Sequence, residues 1–264
     1  NILSALAPYF NLTLNSTGST YSLAATTDVD GTVTLTAGTL DVSGTNYGIT
    51  VGGGWTDTGA GTFTEGTGTV TFDGTGTVNS NEAFENVTIN SAGTITLGAA
   101  LDADATLTIT AGTLDTASGL NYGITVGGNW GNRGTFTARS GTVTFDTVSL
   151  TSVISGNSTF NHLKVTTVAK NLTFTAASTQ TINGTLTLTG SSGNLIVLRS
   201  SVDGTAWNLN VAGTSSVSYV DVKNSNASGG NAIVPTNSTN TGGNTNWTFN
   251  RAPTAASVTA AQGS

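Results

Sequence analysis

Tyr47-Gly48-Ile49-Thr50-Val51-Gly52-Gly53-Gly54-Trp55 returns as Tyr122-Gly123-Ile124-Thr125-Val126-Gly127-Gly128-Asn129-Trp130, one substitution apart and 75 residues further on. A fixed period of that length marks a structural unit that is copied and stacked, each unit buried mainly by its neighbours. Other phrases keep nearly the same step. Leu35-Thr36-Ala37-Gly38-Thr39-Leu40-Asp41 recurs as Ile109-Thr110-Ala111-Gly112-Thr113-Leu114-Asp115, and Gly68-Thr69-Val70-Thr71-Phe72-Asp73 as Gly141-Thr142-Val143-Thr144-Phe145-Asp146, at offsets of 74 and 73 that place small insertions in loops. Tyr9-Phe10-Asn11-Leu12-Thr13-Leu14 aligns with Phe84-Glu85-Asn86-Val87-Thr88-Ile89 and with Phe160-Asn161-His162-Leu163-Lys164-Val165, so the chain begins inside a unit. One copy then runs from about 9 to 83, a second from 84 to 159, and a degenerate third starts at 160.

Within each copy, pairs such as Leu12 and Leu14, Val33 and Leu35, Val87 and Ile89, and Leu107 and Ile109 alternate with Thr or another small polar residue. That two-residue period belongs to a strand with one buried face. Thr, with 54 copies, favours strands and Gly, with 35, permits sharp corners, so the composition is that of many short strands. The expected fold is an all-β parallel β-helix, a β-solenoid of about 75-residue repeats. Each copy would hold about eight strands in roughly three coils of about 25 residues. A series of antiparallel sandwiches is the competing fold. Hairpin pairs occur only at Asp30-Gly31, Asp73-Gly74, Asn183-Gly184 and Asp203-Gly204, too few to close so many strands. Residues 1–250 therefore form one continuous solenoid in this reading, with irregular coils after Gly190, and residues 251–264 are a linker or a donor-strand-like extended tail.

Composition excludes several functions. No Cys is present, which removes disulfides and thiolate chemistry, and no Met is present, which suggests a processed chain or a segment of a longer one. No apolar run approaches the roughly 18 residues of a membrane span. Residues 1–132 hold eleven of the fourteen acidic residues and no Lys or Arg; residues 133–264 hold all seven basic residues and three acidic ones. The halves thus carry −11 and +4, a dipolar arrangement that does not suit nucleic acid but can align copies head to tail.

Gly-Ile-Thr-Val-Gly-Gly-Asn-Trp at 123–130, Gly-Thr-Phe-Thr at 134–137 with Gly-Thr-Val-Thr-Phe-Asp at 141–146, and the segment from Val217 to Ser228 resemble the repeat regions of large secreted prokaryotic surface proteins, the adhesin-like parallel β-helix proteins. The likeness spans most of residues 9–250 and is one of style; no active-site motif is part of it. It implies an extracellular or cell-surface setting and a binding or scaffolding role.

Candidate chemistry is sparse. Asp28-Val29-Asp30 returns as Asp102-Ala103-Asp104, and alternate carboxylates on a strand are candidate Ca²⁺ ligands. Neither stretch carries the remaining ligands of an EF-hand loop or of a calcium solenoid, so Asp28, Asp30, Asp102 and Asp104 are read as solvated turn carboxylates. Trp55 and Trp130 are either sugar-stacking faces or caps on the core, and their repetition favours the core. His162 stands where the other copies have Asn11 and Asn86, with no Ser, Asp and His constellation. Sequons such as Asn11-Leu12-Thr13 are expected by chance in so Thr-rich a chain. No catalytic residue and no cofactor are assigned. The expectation is a structural protein that self-associates into a homopolymer, the subunit of a head-to-tail extracellular filament or surface appendage. The alternatives are an adhesive or carbohydrate-binding stalk segment of a larger surface protein and a β-helix polysaccharide lyase or hydrolase.

Overall fold

A computed structural model describes residues 2–3, 8–57, 59–147 and 151–249. It is an all-β solenoid of about ten turns, with no helix among the described residues. Strands pair in parallel along the stack, as the alternation of aliphatic and Thr positions requires. The tail from 251 lies outside the described residues.

Each coil has three faces. The first contains the strands around Val29, Ile49, Val70, Val87, Leu107, Trp130, Ile154, Phe174 and Leu198, each bonded to the next. The second begins with Leu12 and Leu14 beside Val33 and Leu35, continues through Trp55 and Val78, and later holds Leu114, Phe136, Phe160 and Ile182. The third holds Leu40, Phe63, Phe84, Ala103, Val126, Phe145, Leu163 and Leu186. Inward residues on every face are aliphatic or aromatic and almost wholly buried. Each such side chain contributes roughly 1.5–3 kcal/mol relative to exposure. Stability therefore accumulates coil by coil along the axis.

The coils are shorter than the sequence suggests. Val29 pairs with Val51, Val51 with Phe72 and Phe72 with Ile89, intervals of 22, 21 and 17 residues. Several strands pass straight through a corner: residues 84–97 and 101–115 are each one continuous strand that serves more than one face. Such bends need no Gly or Asp-Gly pair, so a count based on turn residues merges adjacent faces and overestimates the coil.

This shortening changes the relation between copies. Ile49 and Val51 lie on the first face, whereas their equivalents Ile124 and Val126 lie on the third. Trp55 is on the second face and Trp130 on the first; Phe63 is on the third and Phe136 on the second. The second copy is thus turned by one face about the axis, because the repeat advances by whole turns plus two further faces. The expectation that equivalent residues stack on one another is corrected accordingly. The shift is tolerated because all three faces present the same apolar-in, Thr-out pattern, so a strand fits any of them.

The glycines of the repeated phrase serve the corners between coils. A Cβ on Gly52 would strike the Asp30 carbonyl, one on Gly127 the Asp104 carbonyl, and one on Gly53 would lie 2.7 Å from the Gly31 oxygen. The same contacts carry hydrogen bonds, from Gly52 N to Val29 O at 2.8 Å and from Gly127 N to Ala103 O at 2.9 Å. Gly-Gly is required here for close approach of successive backbones.

Candidate functional site

The two Asp pairs occupy equivalent places under those glycine corners but on different faces. Asp28 faces outward beside Thr50 on the first face, and Asp102 beside Thr125 on the third. Asp28 and Asp30 are exposed and do not approach Asp102 and Asp104. The structure instead joins Asp104 to two residues that the sequence did not single out, Glu65 and Glu85: one carboxylate oxygen from each lies within 4.8 Å of the others. All three follow inward residues of the third face, namely Phe63, Phe84 and Ala103. They form a column at the corner where that face meets the first.

The electrostatics of this column are one-sided. Glu65 Oε2 is wholly buried and has no hydrogen-bond donor. Its carboxyl is pushed up to about 7, first by loss of solvent, then by the negative charge of Asp104 and a hydrogen bond shared with it, and then by Glu85 and Asp102. Asp102 is raised too, by burial first and then by Asp104 and Asp146. A small cavity beside Glu65 and Glu85 is lined by Val42, Tyr47, Ile49, Phe63 and Val70, which explains the lost solvent. The second copy has Ala138 and Asn161 in place of Glu65 and Glu85, so the column belongs to the junction of the first two copies alone. Three oxygens fall well short of the six to eight that Ca²⁺ takes, and the cluster carries no metal assignment.

Further along, Lys170 is buried and donates through Nζ to Gly127 O at 2.6 Å and to Thr147 O. Burial pushes its ammonium down to about 8, partly offset by Asp146. The described residues hold three ion pairs, Arg139 with Asp115, Arg199 with Asp221 and Lys223 with Asp203, all from Asp115 onward.

The aromatic candidates are core elements. Trp55 and Trp130 are fully buried and offer no face to a sugar. Each sits in an equivalent edge-on cluster, Trp55 at 5.0 Å from Phe63 and 5.2 Å from Phe84, Trp130 at 4.9 Å from Phe136 and 5.2 Å from Phe160. His162 accepts the Thr185 amide through Nδ1 at 3.0 Å, the work that Asn11 Oδ1 does for Thr32 N at 2.8 Å. It is a bracket between coils.

One open groove of about 520 Å³ runs along the first face beside Thr106, Thr108, Thr110, Asn129, Arg133 and Ser155. It exists because Gly131 stands where the first copy has Thr56, leaving a gap between Thr108 and Ser155. No helix among the described residues is long and apolar enough to cross a membrane. No protein-family model matches the chain, nor does any curated protein or any solved structure.

Proposed function

We propose that the chain is an extracellular structural protein that associates head to tail into a filament or surface appendage. The observation that carries this reading is the axial distribution of charge. Coils stack in sequence order, so the imbalance in the sequence becomes a dipole along the rod. Eleven carboxylates without a Lys or Arg occupy the first half, and a net +4 the second. At about 4.8 Å per coil, ten turns span roughly 50 Å, far enough for the ends to act as opposite poles at a Debye length of about 10 Å. End-to-end contact then brings unlike poles together, while side-by-side parallel contact brings like poles together. Phe10, 77% exposed on the first coil, adds apolar surface at the acidic end.

Light scattering across a concentration series tests it. Assembly should appear at about 20 mM salt and weaken at about 500 mM, where screening falls to a few ångströms. Lys164→Glu, on an exposed site of the basic half, should weaken it at low salt. A chain that stays monomeric at every concentration and salt overturns the proposal.

The second reading, an adhesive or carbohydrate-binding stalk segment, is supported by the hydroxyl-lined groove at Gly131. Gly131→Thr, which refills the rung, should then abolish retention on the glycan it binds and leave assembly intact.

A further inference from the structure

The carboxylate column has a consequence independent of assembly. As ions, Glu65, Glu85 and Asp104 are acceptors only, so no hydrogen bond can form among them and the buried Glu65 Oε2 faces only negative neighbours. Protein cations give no relief: residues 1–132 contain no Lys or Arg. The next cation along the stack, Lys170, directs its ammonium to the carbonyls of Gly127 and Thr147 and lies beside Asp146. The groups facing Glu65 are Asp104 and Glu85 in the column, Asp102 on the same strand as Asp104, and Tyr47 across the small cavity. One proton added to the pair turns two repelling acceptors into an O–H···O bond between successive coils.

We infer that Glu65, Glu85 and Asp104 form a proton-operated clasp that ties the coils of the first repeat copy to those of the second and loosens when the shared proton leaves. The cluster, the buried oxygen without a donor and the absence of a basic partner each point the same way. Ala138 and Asn161 at the corresponding places of the second copy show that the repeat itself does not require the carboxylates.

The sign follows from linkage. The folded carboxyl holds its proton up to about 7 and the unfolded one only to about 4.5, so the stabilisation is complete below about 4.5 and is lost as pH rises through 7. Urea unfolding followed by Trp fluorescence at pH 5.5 and 8.5 is the test. For the natural chain the unfolding constant should rise on the order of tenfold between these values, after allowance for the partial exposure of Glu65. Glu65→Gln, a neutral isostere, should remove most of that rise. Carboxyl NMR of the unmodified chain should show one Glu titrating near 7, a measurement that needs no variant to fold. An unchanged pH dependence in Glu65→Gln, or every Glu titrating near 4.5, overturns the clasp. So does full recovery of the pH 5.5 stability at pH 8.5 on adding CaCl₂ alone, since a metal would then be closing the column.

Discussion

Trp55 and Trp130 open the same phrase of sequence onto the same aromatic cluster, yet the polar groups behind them differ. The Trp55 indole donates to Asp57 Oδ2 at 2.9 Å, and Asp57, 1% exposed, also accepts the Ser80 hydroxyl at 2.5 Å and the Asn81 amide at 2.7 Å. The Trp130 indole donates to the Ser158 hydroxyl at 2.9 Å, with Asn132 Nδ2 reaching Ser158 Oγ at 3.3 Å and Asn157 O at 3.0 Å. The first copy therefore gathers three donors on one buried acceptor, while the second spreads the load over neutral groups and leaves Asn132 Oδ1 unpaired. The apolar part of a repeat is copied faithfully; its buried polar part is solved afresh at each copy.

The largest effect that separates the two sites should come from Trp→Ala. Each loses about 3–5 kcal/mol, and Trp55→Ala should be the more costly because it also strips a donor from the buried Asp57. Chemical denaturation decides this, and equal losses would mean that the polar difference is immaterial. Next, Asp57→Ala should cost about 3 kcal/mol by orphaning three donors, against about 1 kcal/mol for Asn132→Ala. Asp57→Asn should recover part of the loss.

The smallest contrast is in pH. Stability near Glu65 rises on acidification from pH 8 towards 5, as its raised carboxyl demands. Asp115 behaves oppositely: its hydrogen bond to Arg139 holds the carboxyl below its usual range, so that contribution is present above about 4 and fades as pH falls further. Hydrogen exchange resolved by coil should show protection at 63–104 growing and protection at 113–139 shrinking across a descent from pH 8 to 3. Arg139→Ala, on an exposed pair, should scarcely move the overall midpoint.

The solenoid was legible because Leu, Ile and Val alternate with Thr at strand spacing and because Tyr47–Trp55 and Tyr122–Trp130 fix a period. Burial of both Trp was legible for the same reason. Coil length was not, since residues 84–97 and 101–115 turn corners within one strand and leave no turn residue to count. The carboxylate column was hidden by that error: Glu65, Glu85 and Asp104 stand 20 and 19 residues apart, which is one coil at the observed intervals and less than one at 25. Asp28 with Asp30 and Asp102 with Asp104 looked alike in sequence, yet a rotation of one face gives only the latter acidic neighbours.

That rotation also governs what a partner would meet on the outside. The turns 42–47 and 117–122, equivalent in sequence, leave the rod in directions a third of a revolution apart. Any array extended at the same period would wind such marks around its axis like the thread of a three-start screw, and the same loop would face the same way again only at every third copy. A molecule approaching from one side would count one loop in three, on a rod whose backbone lattice is otherwise unbroken.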